Sequence, residues 1–80
     1  MPRYFFDFRD ADGLFRDEGG QDMPNAEAAR SEAIRGAAGV ALDIATKDFS
    51  SEVTVEVRDH MGPVVEVRAV IESRLLGRGH

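Results

Sequence analysis

Two matching turns bracket one helical stretch, and that arrangement leaves this chain few folds to choose from. Phe6-Asp7-Phe8-Arg9-Asp10 and Val55-Glu56-Val57-Arg58-Asp59 both read apolar, acidic, apolar, Arg, Asp, and Gly13 and Gly62 follow at the same spacing. In an Asp-x-x-Gly turn the carboxylate bonds the turn's own N–H groups, and glycine accepts the positive φ that closes a type I turn with a bulge. Each turn therefore joins two strands. Arg3 to Arg9 alternates with Tyr4, Phe6 and Phe8 on one side, and Leu14 to Asp17 returns as a short second strand. Val53, Val55 and Val57 alternate with Thr54, Glu56 and Arg58 in a third. The fourth runs from Pro63 to about Ile71, with Val65, Val67 and Ala69 on one side; proline suits its start because it owes the ladder no donor. A single helix lies between the hairpins, so their likeness is shared turn chemistry rather than a solenoid repeat.

Glu18 to Pro24, with Gly19 and Gly20, reads as a loop. Asn25 is a sound N-cap and Glu27 lies in the first turn, where the helix dipole favours negative charge. The spacing predicts a helix from Ala26 to about Lys47. At 100° per residue, Ala26, Ala29, Ala33, Ala37, Val40, Ala41 and Ile44 form one stripe with Ile34 at its edge, while Glu32, Arg35 and Asp43 face away. Small side chains on that stripe let the helix axis approach a sheet closely. Gly36 and Gly39 each weaken the helix by roughly 1 kcal/mol relative to alanine, and the pattern alone gives them no role.

One helix covers one face of one sheet, so the predicted fold is an α+β two-layer sandwich, ββαββ, with a four-stranded, mainly antiparallel sheet in the order 2-1-3-4. The alternative places the fourth strand beside the first, in parallel. Residues 1–72 form the domain and 73–80 a flexible tail in this reading. In the second hairpin, a bulge at Gly62 sets Asp59 opposite Pro63, Val57 opposite Val65, Val55 opposite Val67 and Val53 opposite Ala69, all apolar after the first. The same rule in the first hairpin sets Phe8 opposite Arg16 and puts Phe15 on the face that carries Phe5. The face away from the helix would then show Arg3, Phe5, Asp7, Phe15, Thr54, Glu56, Arg58, Val64, Glu66, Arg68 and Val70. Most of it is a solvated charge ladder, but Phe5, Phe15, Val64 and Val70, with Arg58 and Arg68 among them, suggest a partner surface. The competing reading assigns Phe15 to the core.

Composition narrows the function. The chain has 80 residues, no cysteine, and 15 Asp+Glu against 10 Lys+Arg, a net charge of −5. A core this small is marginal alone and has no disulfide to staple it, so a homodimer is the expected source of extra stability. The acidic balance argues against nucleic acid, which needs clustered positive charge. Tyr4, Phe5, Phe6 and Phe8 could suggest base stacking, but three of these rings alternate onto the core side and Arg3, Arg9, Arg16, Arg58 and Arg68 are interleaved with acids. Met1-Pro2-Arg3 runs straight into aromatic residues with no signal-like or membrane-spanning run, so a cytoplasmic protein away from membranes is expected.

Chemistry-bearing motifs are sparse. Asp7, Asp10, Asp12, Asp17 and Glu18 gather around the first hairpin and could hold Mg²⁺ or Ca²⁺, but Asp10-x-Asp12-Gly13 lacks the later ligands of a calcium loop. His60 falls in a turn, and neither it nor His80 has a metal partner at ligand spacing. No serine sits in a Gly-x-Ser-x-Gly elbow, and Gly19-Gly20 is not followed by the Lys-Ser/Thr of a phosphate loop. No cofactor, metal site or catalytic residue is expected.

The opening Met1-Pro2-Arg3-Tyr4-Phe5-Phe6, then Asp10-x-x-Gly13, Asp17-Glu18-x-Gly20, Pro24 and the Ala/Glu/Arg-rich stretch after it, resembles a family of short alphaproteobacterial proteins. That family is common in rhizobia and their relatives and is known only as a domain of unknown function. The resemblance covers about residues 1 to 72. It implies no activity and carries no site residue onto this chain. Where its members often have Leu-Pro-Asp before the helix, this chain has Met23-Pro24-Asn25, which keeps the apolar plug and the cap. A looser similarity links the order of elements to the antitoxin halves of HicAB-type toxin–antitoxin pairs, although the Pro-Asp-Leu-Pro-Gly segment and any DNA-binding domain are missing.

The function expected from these readings is a small non-catalytic protein-interaction module, self-associating through the open sheet face or a strand edge. Two alternatives stand beside it: an antitoxin-like partner that masks a basic protein with the acidic loop Asp17 to Asp22, and a weak divalent-metal or ligand-binding protein.

Overall fold

The computed structural model describes residues 1–78; His80 and Gly79, at the end of the expected tail, lie outside the described residues. The elements are β1 (Arg3–Asp10), β2 (Gly13–Phe15), β3 (Gln21–Asp22), α1 (Ala26–Lys47), β4 (Ser50–Asp59) and β5 (Gly62–Glu72). They form one mixed α+β body with a single helix against an antiparallel sheet ordered β2-β1-β4-β5. The expected four-stranded ββαββ layout with order 2-1-3-4 is corrected by β3, a fifth strand that also pairs with β1. β3 has only two residues, too few for alternation to mark. Arg3 pairs with Asp22 and Tyr4 with Gln21 along it, and the Arg3 guanidinium clamps the Asp22 carboxylate at 3.1 Å.

The helix is set by its ends. The Asn25 side chain accepts from the Ala28 N–H at 2.8 Å, and the Asp48 N–H donates to the Ile44 carbonyl at 2.9 Å. Ala29, Ala33, Ala37 and Ala41 are buried along the expected stripe and face Val53, Val55 and Val57, which have no exposed surface at all. The fit is small residue on β-branched residue, and it brings the two layers close. α1 rests on β4 and β5 about equally and only grazes β1. Gly36 gains a role here: an added Cβ would lie 3.1 Å from Cζ of Phe8, so the glycine makes room for that ring at the β1 flank of the helix. The buried Ser51 hydroxyl donates to the Ala41 carbonyl at 2.8 Å, tying β4 to the helix near its last turns.

Register in the second hairpin pairs Val57 with Val65, Val55 with Val67 and Val53 with Ala69. The turn itself differs from expectation. Asp59 faces Gly62 and Arg58 faces Pro63, and the ladder skips Val64, so the bulge falls beside Pro63, where no donor is available, rather than at Gly62. The first hairpin has no such skip. Asp10 faces Gly13, Arg9 faces Leu14 and Phe8 faces Phe15, which corrects the expected Phe8–Arg16 pairing and moves Phe15 to the helix side of the sheet.

Candidate functional site

The face of the sheet away from the helix is partly roofed. The segment from Arg16 to Gly20 leaves the edge of β1 and folds over Phe5 and Asp7, so that Asp7 is only 5% exposed although it sits opposite the helix. Its carboxylate accepts from Arg58 Nε at 2.8 Å and from the Asp17 N–H at 2.9 Å. Arg58 Nη2 donates to the Asp17 carbonyl at 2.8 Å, and the guanidinium carbon lies 4.6 Å from the centre of the Phe5 ring. Asp17 completes the knot. One oxygen accepts from the Gly19 and Gly20 N–H groups and the other from the Phe6 N–H, all at 3.1 Å.

These contacts outweigh the cost of burial. Burial pushes the Asp7 carboxyl up, but the Arg58 hydrogen bond, the Asp17 N–H and the charges of Arg58 and Arg16 together hold it below its ordinary value. For Asp17, burial and the nearby Asp7 charge push up, and the Gly20, Phe6 and Gly19 N–H donors bring it below the usual carboxylate value. Gly20 is required where it stands: its φ is +71°, and a Cβ there would come within 2.9 Å of Arg3 and Phe5 side-chain carbons.

Of the six residues expected to form a partner surface, Phe15 lies on the other face of the sheet, and the rest differ in how far they are free to meet a partner. Phe5 is half-buried beneath Arg58, and Arg58 is held by Asp7. Phe15, 57% exposed, lies on the other side of the sheet at the short β2 edge. Arg68 pairs with Glu52 on the exposed surface, and that pairing lowers the Glu52 carboxyl and raises the guanidinium. Only Val64 and Val70, 41% and 48% exposed, remain as apolar side chains presented outward on β5.

The carboxylates of the first hairpin are engaged separately rather than around a common centre. Asp10 accepts from the Asp12 N–H at 2.8 Å as turn chemistry requires, and Asp22 is paired with Arg3. Among the described residues, no three or more His, Cys, Asp or Glu are placed to share a metal ion. A dimple of about 50 Å³ between Asp7, Arg9, Leu14, Arg16, Thr54 and Glu56 has room for little more than water. An open groove of about 390 Å³ runs between the Asp10–Asp12 turn and Val40, Asp43, Ile44 and Lys47. No described helix is long and apolar enough to cross a membrane.

Sequence reasoning missed the Asp7–Asp17–Arg58 knot. Part of its signal was present: Asp7 and Arg58 share one face of adjoining strands, with Phe5 directly opposite Arg58, while Asp17 lies in the roofing loop, where no periodicity marks it.

Together these features define a small α+β domain whose perturbed carboxylates serve its own loop and whose longest unpaired feature is the edge of β5. Residues 3–70 match the family model DUF6894, a domain of unknown function, and the chain belongs to that family. No curated protein and no solved structure matches it.

Proposed function

We propose that this protein is a non-catalytic protein-interaction module that self-associates, and that it does so through a strand edge rather than through the sheet face away from the helix. The observation that carries this reading is the 11-residue β5, which lies at the end of the sheet with one side unpaired and with Val64 and Val70 exposed on it. A long strand edge is a template for another strand, and from Val65 to Glu72 β5 pairs with β4 without a skip, so that its outer edge is regular over that stretch. The other sheet border is blunted, because β2 and β3 are short and Asp17 caps the Phe6 N–H between them. Light scattering on the full chain across a concentration series tests the reading. The expected mass approaches twice 8.8 kDa as concentration rises, and a mass of one chain throughout would overturn it.

A further inference from the structure

We infer that the partner is a second copy of this chain, joined β5 to β5 in antiparallel register about a two-fold axis through Val67; this rests on the self-association proposed above and specifies its geometry. The argument begins with which residues of β5 face outward. Ser73 N–H donates to the Phe49 carbonyl at 2.7 Å, continuing the β4–β5 ladder. Bonded pairs alternate in an antiparallel ladder, so Ile71, Ala69, Val67 and Val65 turn their main-chain groups towards β4. Those of Glu66, Arg68 and Val70 point to the open side. The Phe6 N–H agrees independently, since it points away from β4 to Asp17, which leaves Val57 opposite it to bond Val65.

A second β5 must then place outward-pointing residues opposite outward-pointing residues, which leaves few registers. Centring on Glu66 sets two carboxylates face to face, and centring on Arg68 sets two guanidiniums face to face. Centring on Val65 or Ala69 puts Val64 against Glu66 or Glu66 against Glu72. With the axis through Val67, Glu66 faces Arg68 of the second copy, and Val64 faces Val70 of the second copy, each twice. This register covers both exposed valines. It also supplies a positive charge to Glu66, which within the single chain lies directly opposite Glu56, a like-charge pair that cross-strand packing penalises.

The helices fit the same axis. α1 lies over β4 and β5 about equally, so with strands ~4.8 Å apart the two copies of α1 run on one face of the joined sheet about 10 Å from each other, the usual distance for packed helices. The flank brought together carries Ile34, which lies about 200° around the helix from Gly36 and is exposed in the single chain.

Two experiments test the register. The chain contains no cysteine, so Val67→Cys introduces one thiol, placed opposite itself at the ~4.5 Å Cα separation of a non-hydrogen-bonded pair, which a disulfide can span. Oxidation is expected to link V67C into a covalent dimer and to leave V65C and A69C single; equal or greater linking by either of the latter, or none by V67C, overturns the register. Secondly, E66R and R68E are each expected to lose the dimer at concentrations where the original chain holds it. Mixing the two restores it, because each face then meets its opposite charge. If both variants alone keep the dimer, self-association stands and the β5 pairing falls. A single-chain mass for the unaltered protein at every concentration overturns both.

Discussion

Asp17 serves the loop, the strand and the ion pair at once, and its neighbours inherit that dependence. Removing the Arg58 side chain leaves the Asp7 carboxylate nearly enclosed with one donor lost. Arg58→Ala is therefore expected to destabilise the fold by about 3–5 kcal/mol, read from denaturant midpoints at unchanged slope. The double variant with Asp7→Asn should cost less than the sum of the two single changes, which a double-mutant cycle measures. The two helix glycines separate by their surroundings. A Cβ at Gly39 meets nothing within 4 Å, so Gly39→Ala should stabilise by about 0.5–1 kcal/mol, as the helix preference alone dictates. Gly36→Ala should gain less, because the Phe8 ring has to give way. A thermal melt of the two variants side by side is enough to rank them.

Among the elements, α1 and the β4–β5 hairpin were legible and the first hairpin was only half so. The helix announced itself through Asn25, the alanine stripe and a C-terminal break, all of which are local signals. The valines of β4 fixed their partners because each alternative register would have buried a charge. No such penalty acts in the first hairpin, where β2 is three residues long and exposed, so Phe15 could be placed on either face by pattern alone. β3 and the roofing loop are held by side chains reaching across the chain, Arg3 to Asp22 and Asp17 to Gly19 and Gly20, and such contacts leave no periodic trace. The close approach of layers makes its own forecast. Ala33→Leu inserts a bulky side chain where exposure is 1% and the facing residues are rigid valines, and is expected to cost at least about 1–3 kcal/mol in chemical unfolding.

For the molecule as a whole, the two lowered carboxyls set the acid limit. In the unfolded chain Asp7 and Asp17 take up protons near 3.8, while in the folded chain both do so at lower pH. Their contribution is complete above that value and is lost as pH falls through the folded pKa values, because the unfolded state then binds more protons. The melting temperature is expected to drop below about pH 4, and Asp17→Asn should flatten that decline while lowering the plateau. A scan of melting temperature from neutral pH to pH 2 distinguishes the two profiles.

The unequal borders of the sheet bear on how large any assembly grows. A slab that could extend at both margins would add subunit after subunit and thread into filaments. Here one margin carries only the short β2 and β3, with a carboxylate closing the β1 amide between them, so the proposed joining at β5 would use the one long border each molecule has. An assembly built by the proposed β5 pairing would end at two copies, with short strands and one aspartate guarding the opposite border against fibrous growth.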